Sequence, residues 1–329
     1  MSLMDNKKAT ILITGGQGWL GLALGEYLSD LGFSDVKSLA GFRAGIDLGL
    51  DSVLGWALDV NPDIVIHLAN RPPTRENSLD YPAGLMYENL HVTTRLMEEA
   101  SQSGCKKFIT VNESCVYPER QILPYKEKDL FEGPPHWTCR YYGTAARALM
   151  EMNMAFSTQY DDFVGVNIIS PEVYGPGSRF NPKRNRVMEA AISNIGAAHK
   201  HGLDEVNIEG PKSASRDFIF VNDFVDAIYH AIEFVKEPDT INISQGYDIN
   251  IKALHEKIAK IIGYEGKVNW QDKKEEFINK LYLDITRAEK VMNWKPKHTL
   301  ETGLEYTLDW YSETMTPDYV DPTTLLLQS

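Results

Sequence analysis

Gly15, Gly18 and Gly21 are spaced as G-x-x-G-x-x-G within Thr14-Gly15-Gly16-Gln17-Gly18-Trp19-Leu20-Gly21. Such a run can seat a pyrophosphate. The first glycine allows a tight turn, the middle one lets the backbone approach the phosphates, and the last lets a helix pack closely on a strand. The run needs a strand before it and a helix after it. Ala9 to Thr14 reads as a buried strand, and Leu20, Leu24, Tyr27, Leu28 and Leu31 recur at helical spacing. The free N–H groups and dipole of that helix then hold the phosphates. These residues predict a dinucleotide site, with Trp19 and Leu20 beside the three glycines. The next strand, Val36 to Ala40, runs into Gly41-Phe42-Arg43. A carboxylate there suits a ribose 2′-hydroxyl and a basic residue suits a 2′-phosphate. Arg43 therefore favours NADP over NAD, the alternative being an ordinary surface arginine. Asp47-Leu48 is a second candidate contact, for the adenine.

The elements that must position this turn follow in alternation. Val53 to Val60 reads as a helix, Asp63 to Ala69 as a third strand and Tyr87 to Ser103 as a long helix. Lys107 to Val111 is a fourth strand, Tyr141 to Tyr160 a helix and Val164 to Ile169 a further strand. Alternation of this kind predicts an α/β fold, a doubly wound parallel sheet with helices on both faces. After Pro171 the pattern becomes irregular. Tyr174 to Pro182 reads as a glycine- and proline-rich loop, and Val187 to Lys200 as a helix. Phe218 to Val221 and Thr240 to Ile243 read as strands, with a helix over Asp223 to Val235 between them. Ile251 to Ile262 is another helix, and Leu300 to Tyr311 closes the chain. The expected division is a dinucleotide domain over 1–170 and 217–245, a smaller mixed substrate lobe over 171–216 and 246–315, and a tail over 316–329.

Composition narrows the partners. The chain has 329 residues and a formal net charge of -13. Such a surface repels phosphate backbones and anionic lipid, so neither nucleic acid nor a membrane is expected. No apolar run approaches the ~20 residues that span a bilayer. Met1 to Thr10 is polar and lacks a signal-peptide core. Cys105, Cys115 and Cys139 form an odd, sparse set, which fits a reduced cytoplasmic protein. No Cys/His grouping has metal-ligand spacing, so no metal is expected.

With these residues in hand, the chain resembles the extended short-chain dehydrogenase/reductase family, and within it the GDP-L-fucose synthase group. The likeness runs from about Ile11 to Tyr311. It is carried by Pro62 to Ala69, Glu88-Asn89-Leu90, Ser114-Cys115-Val116-Tyr117-Pro118, Val173-Tyr174-Gly175-Pro176 with Arg179-Phe180-Asn181-Pro182, Ser215-Arg216-Asp217-Phe218, Leu283 to Arg287 and Trp294-Lys295-Pro296. The resemblance implies a Rossmann sheet, NAD or NADP as cofactor, a nucleotide-sugar substrate and a homodimer formed through the helices near Tyr87 to Ser103 and Tyr141 to Tyr160. It adds Leu68, Ala69, Asn89 and Pro171 to the cofactor contacts, and it points to Arg179, Asn181, Arg186 and Arg216 for the substrate. Of these Arg216 is the best phosphate ligand, since arginine can bind phosphate bidentately.

The family's chemistry needs a Ser or Thr, a Tyr, and a Lys four residues after the Tyr, one turn along the same helix face. Here the tyrosine falls at Tyr142 and the lysine position is Ala146; shifting to Tyr141 gives Ala145. Arg147 lies about 100° around the helix, a poor substitute. The family serine position is Glu113, and Ser114 next to it should face the other way on a strand. Cys115 fits the family's epimerisation cysteine, while the histidine that works with it reads Arg186. An unperturbed tyrosine has a pKa of ~10, so making phenolate at pH 7 costs roughly 4 kcal/mol. Oxidation starting from Tyr142 as base suffers from that cost; reduction with the neutral phenol as acid does not. A charged Glu113 near Tyr142 would oppose phenolate further, whereas a Glu113 in a dry pocket could itself act as acid or base. Two readings follow: an NAD(P)-dependent reductase or epimerase of a nucleotide sugar with an altered proton relay built on Tyr142, Glu113, Cys115 and Ser114, or a catalytically silent relative that binds cofactor or nucleotide sugar.

Overall fold

The computed structural model describes residues 7–40, 55, 59–119, 122–178, 180, 186–210, 213–272 and 280–314. The strands are β1 (Ile11–Thr14), β2 (Val36–Leu39), β3 (Ile64–His67), β4 (Lys107–Glu113), β5 (Val164–Ser170), β6 (Glu172–Tyr174), β7 (Glu205–Gly210), β8 (Ser215–Arg216), β9 (Phe218–Phe220), β10 (Asp239–Asn242), β11 (Ile249–Asn250), β12 (Lys267–Asp272) and β13 (Lys280–Leu281). The α-helices are α1 (Trp19–Asp30), α2 (Arg75–Asp80), α3 (Pro82–Gln102), α4 (Arg140–Gln159), α5 (Val187–Lys200), α6 (Val221–Phe234), α7 (Ile251–Ile262), α8 (Thr286–Met292) and α9 (Leu300–Thr314).

Six strands form one sheet in the order β10-β5-β4-β3-β1-β2, and every neighbouring pair is parallel. Both faces are covered, which is why the strands read as continuous apolar runs rather than alternating ones. Ile11, Ile13, Ile64 and Ile66 pack in the cluster that holds Leu24 and Leu28 of α1 and Phe224 and Ile228 of α6. Leu12, Val65 and Phe108 turn to the other side, against Val92, Leu96 and Met97 of α3 and Phe156 of α4. The chain leaves β1 in one direction to β2 and then crosses to β3 on the other side. Ligands of doubly wound sheets sit outside the strand ends at such a reversal.

One lysine is built into this core. Lys107 opens β4, is 2% exposed, and donates from Nζ to the carbonyls of Ala231, Ile232 and Val235 at 3.2, 2.5 and 2.7 Å. Burial pulls its pKa down to about 7, while the negative end of α6 favours the charged form.

The structure departs from the sequence reading in several places. The long helix starts at Pro82, not Tyr87; proline's fixed φ is pre-set for the first helical position. Glu172–Tyr174, partly inside the expected loop, is a strand paired in parallel with β9. β7 pairs in parallel with β12, and the two-residue strands β8, β11 and β13 form a third small sheet. The helix read over Val53 to Val60 lies, apart from Gly55, Asp59 and Val60, outside the described residues, as does the tail from residue 316. No helix among the described residues is long and apolar enough to cross a membrane.

Candidate active site

The glycine turn opens at the reversal between β1 and β3. Gly15 has φ +74°, and a Cβ there would sit 2.9 Å from the Leu68 carbonyl carbon and 3.0 Å from the Ala69 nitrogen. Only glycine lets the turn lie this close to the end of β3. A Cβ on Gly21 would lie 2.4 Å from the Gly16 α-carbon, so α1 packs directly on the turn. Gly18 is the N-cap of α1, with no side-chain cap and no acidic residue in the first turn, which also holds Trp19 and Leu20. An uncapped helix start of this kind presents its N–H groups to an anion. The cradle therefore fits a dinucleotide pyrophosphate.

Below the turn a buried histidine fixes the two strand ends. Thr14 Oγ1 lies 2.7 Å from His67 Nδ1, and His67 Nε2 lies 3.0 Å from both Asn70 Oδ1 and Thr93 Oγ1. Burial pulls its pKa down to about 4, so the ring is neutral. Asn89 clamps the loop after β3, accepting from the Arg71 N–H at 2.8 Å and donating to the Arg71 carbonyl at 3.0 Å. Its amide supports the loop backbone beside Leu68 and Ala69. Pro171 is buried between β5 and β6. Arg43, Asp47, Leu48, Arg179 and Asn181 lie outside the described residues.

The second group of residues gathers where β4 ends. Tyr142, in the first turn of α4, is 3% exposed, and its Oη accepts the Glu113 backbone N–H at 3.2 Å. Tyr141 is 48% exposed, so the register that counts is Tyr142. Burial, and then the charge of Glu113, hold the phenol well above its usual pKa. Ala146 packs with Tyr142, Val116 and Met150 in an apolar cluster. Arg147 points elsewhere: Nε donates to the Val116 carbonyl at 2.7 Å and Nη1 to the Gly133 carbonyl at 2.6 Å.

Glu113 does not lie in a dry pocket. Its carboxylate meets Arg186 Nη2 at 2.5 Å, and the two side chains are 32% and 41% exposed. The two residues that the sequence reading set at the family's serine and histidine positions are thus each other's ion-pair partners. Arg186 also feels Glu172 and Glu189, and these charges raise its pKa. Glu172 accepts the Met188 N–H at 3.2 Å and interacts with the Glu189 carboxyl. Burial, and then Glu189, push Glu172 up to about 8, so this carboxyl pair retains a proton at neutral pH. Ser114 is buried, but not on a strand: β4 stops at Glu113 and Ser114–Val116 is a 3-10 turn, so strand alternation does not set its direction. Cys115 follows in the same turn, and its thiol lies within interaction range of that of Cys139. Arg216, on β8, donates to the Ser215 carbonyl at 2.7 Å and lies within electrostatic reach of Glu172 and Cys139.

The structure thus brings Tyr142, Glu113, Ser114, Cys115, Arg186 and Arg216 into one neighbourhood. It adds Glu172, Glu189, His67 and Cys139, which the sequence reading passed over. Cys139 carried a usable signal, standing three residues before Tyr142 and so one turn back on the same helix face. The glutamates carried none, because their meaning depends on Arg186.

Comparison with known proteins agrees with this architecture. The chain is 28% identical over 313 residues to a probable GDP-L-fucose synthase 1 of Oryza sativa subsp. japonica, covering 95% of this chain and 94% of that protein. It is 27% identical to the GDP-L-fucose synthase of Escherichia coli (strain K12), over 93% of this chain and 97% of that one. A GDP-mannoheptose C4 reductase from Campylobacter jejuni, solved with NADP bound, superposes with a TM-score of 0.81 at 24% identity, covering 93% of this chain and 99% of that chain. The model of the NAD dependent epimerase/dehydratase family matches residues 11–244. With the glycine cradle at the sheet reversal and Tyr142 at the end of β4, that match establishes that the chain belongs to the NAD dependent epimerase/dehydratase family.

Proposed function

We propose that the chain reduces the keto group of a nucleotide-activated sugar, a GDP-sugar, with NADP as the preferred cofactor. The observation that carries the reading is the hydrogen bond from the Glu113 N–H to Tyr142 Oη. An oxygen that already accepts this bond, on a phenol that stays protonated, has its own proton to give. A carbonyl oxygen receiving that proton is being reduced, and reduction needs no lysine to make phenolate. When bound on the glycine turn, the nicotinamide supplies the hydride. Arg216 would take the diphosphate, as would Arg186, whose guanidinium stays charged. The GDP preference rests on the relatives named GDP-L-fucose synthase, and the NADP preference on Arg43 together with the NADP-bound reductase.

Epimerisation has less support. It needs a second group to return a proton, and an arginine paired with Glu113 holds its proton too tightly to serve. In this reading residues 1–170 and 217–245 carry the cofactor, and residues 171–216 and 246–315 the sugar nucleotide. Exposed Tyr87 on α3 and Tyr141 on α4 would lie in a homodimer face. The unpaired cysteine count fits the cytoplasm.

The test is NADPH consumption by the pure protein with 4-keto forms of GDP-, UDP-, dTDP- and CDP-sugars. Oxidation of NADPH with the GDP series alone is the expected result; no consumption with any of them overturns the reading. Ala146 and the Glu113–Arg186 pair favour one competitor, a silent relative that only binds. A turnover that disappears in Tyr142→Phe excludes it.

A further inference from the structure

The third cysteine is the key to what Cys115 does here. Cys139 is the N-cap of α4 and no side chain is bonded to the helix start from that position. Its sulfur lies within interaction range of the Cys115 thiol, and Thr138 Oγ1 lies 3.7 Å from its sulfur. Both cysteines are free and part-exposed. The turn carrying Cys115 packs directly on α4: a Cβ on Gly143 would come within 3.4 Å of the Cys115 carbonyl oxygen.

We propose that Cys139 and Cys115 are a peroxide-reactive thiol pair beside Tyr142, which closes reversibly to a disulfide. Cys139 is the attacking sulfur. A thiol at a helix N-terminus, beside a second thiol and with an arginine in electrostatic reach, has the surroundings that favour thiolate.

The co-reactant is hydrogen peroxide. The Cys139 thiolate attacks one peroxide oxygen; the S–O bond forms, the O–O bond breaks, and hydroxide leaves. Cys115 then attacks the sulfenic sulfur; the S–S bond forms, the S–O bond breaks, and the departing hydroxide takes the Cys115 proton as water. Two electrons pass from the thiol pair to the peroxide. Dithiothreitol returns them by exchange. Cys105 is the internal control. It is 3% exposed, its sulfur lies 3.2 Å from the Lys107 carbonyl, and burial pushes its pKa up to about 12. The inference goes beyond the proposed reduction and does not depend on the sugar.

The test treats the full chain with stoichiometric hydrogen peroxide, blocks free thiols, and maps the peptides by mass. A Cys115–Cys139 linked peptide that dithiothreitol dissolves is expected, with Cys105 unmodified. Cys115→Ser should leave Cys139 as a sulfenic acid that dimedone captures. Cys139→Ser, or Cys139→Ala if the serine variant does not fold, should slow oxidation of Cys115 at least about tenfold. Thiols that stay free while added glutathione is consumed, or links only between two chains, overturn the proposal, and neither result bears on NADPH turnover.

Discussion

The guanidinium of Arg186 and the carboxylate of Glu113 meet at 2.5 Å across 73 residues of chain. Neither residue stands alone. A glutamate beside Tyr142 needs a cation, and a cation at the start of α5, among Glu172 and Glu189, needs an anion. Both side chains are about a third exposed or more, so solvent weakens the pair. A double-mutant cycle with Glu113→Gln and Arg186→Gln, read by thermal unfolding, should give a coupling energy of about 1 kcal/mol. Additive single effects would show that the pair is incidental.

Tyr142→Phe should lower the reduction rate by about a hundredfold or more, the usual size of a lost general acid. The pH profile checks the role. Because the phenol is held above its usual pKa, the wild-type rate should show no tyrosine-dependent fall up to about pH 10. Glu113→Gln removes the neighbouring charge, eases ionisation of the phenol, and should bring the alkaline fall to lower pH.

Gly15→Ala should abolish dinucleotide binding while leaving most of the sheet intact. The new methyl would strike the Leu68–Ala69 backbone at 2.9 to 3.0 Å, and alanine disfavours the positive φ of this position. Titration with NADPH by fluorescence should show at least about a hundredfold loss of affinity, since the turn can no longer keep its place against β3.

His67 predicts a pH-dependent stability. Its pKa falls from 6.5 unfolded to about 4 folded. Between those values the unfolded chain binds more protons, so stability falls as pH is lowered from 6.5 toward 4 and the loss levels off below that range. The total is at most about 3 kcal/mol. Melting temperatures across the window should show this slope, and His67→Gln should flatten it.

Much of the fold was legible because the information is local. The G-x-x-G-x-x-G turn, the apolar strand runs and the start and stop of α5 and α7 depend on neighbours in sequence. β7 was legible in principle: Val206 and Ile208 are buried between exposed Glu205, Asn207 and Glu209, a period-two signal in an otherwise polar stretch. β8, β11 and β13 were not, since a two-residue strand exists only through its partners. At the site, Tyr142 and Cys115 were read as matching the family pattern, and Glu113, Ala146 and Arg186 as departing from it. Their pairing was not visible, because only the folded chain brings β4 and the start of α5 together. The same holds for Cys139, whose meaning depends on a turn more than twenty residues away.

Lys107 gives the molecule a built-in clock. Its amine is enclosed and bonded to three carbonyls of the helix that covers the sheet. An acylating reagent can reach that nitrogen only when β4 and α6 separate. Exposed lysines on the same chain would be acylated at once, so the delay in modifying Lys107 reports how often that helix lifts from the central sheet.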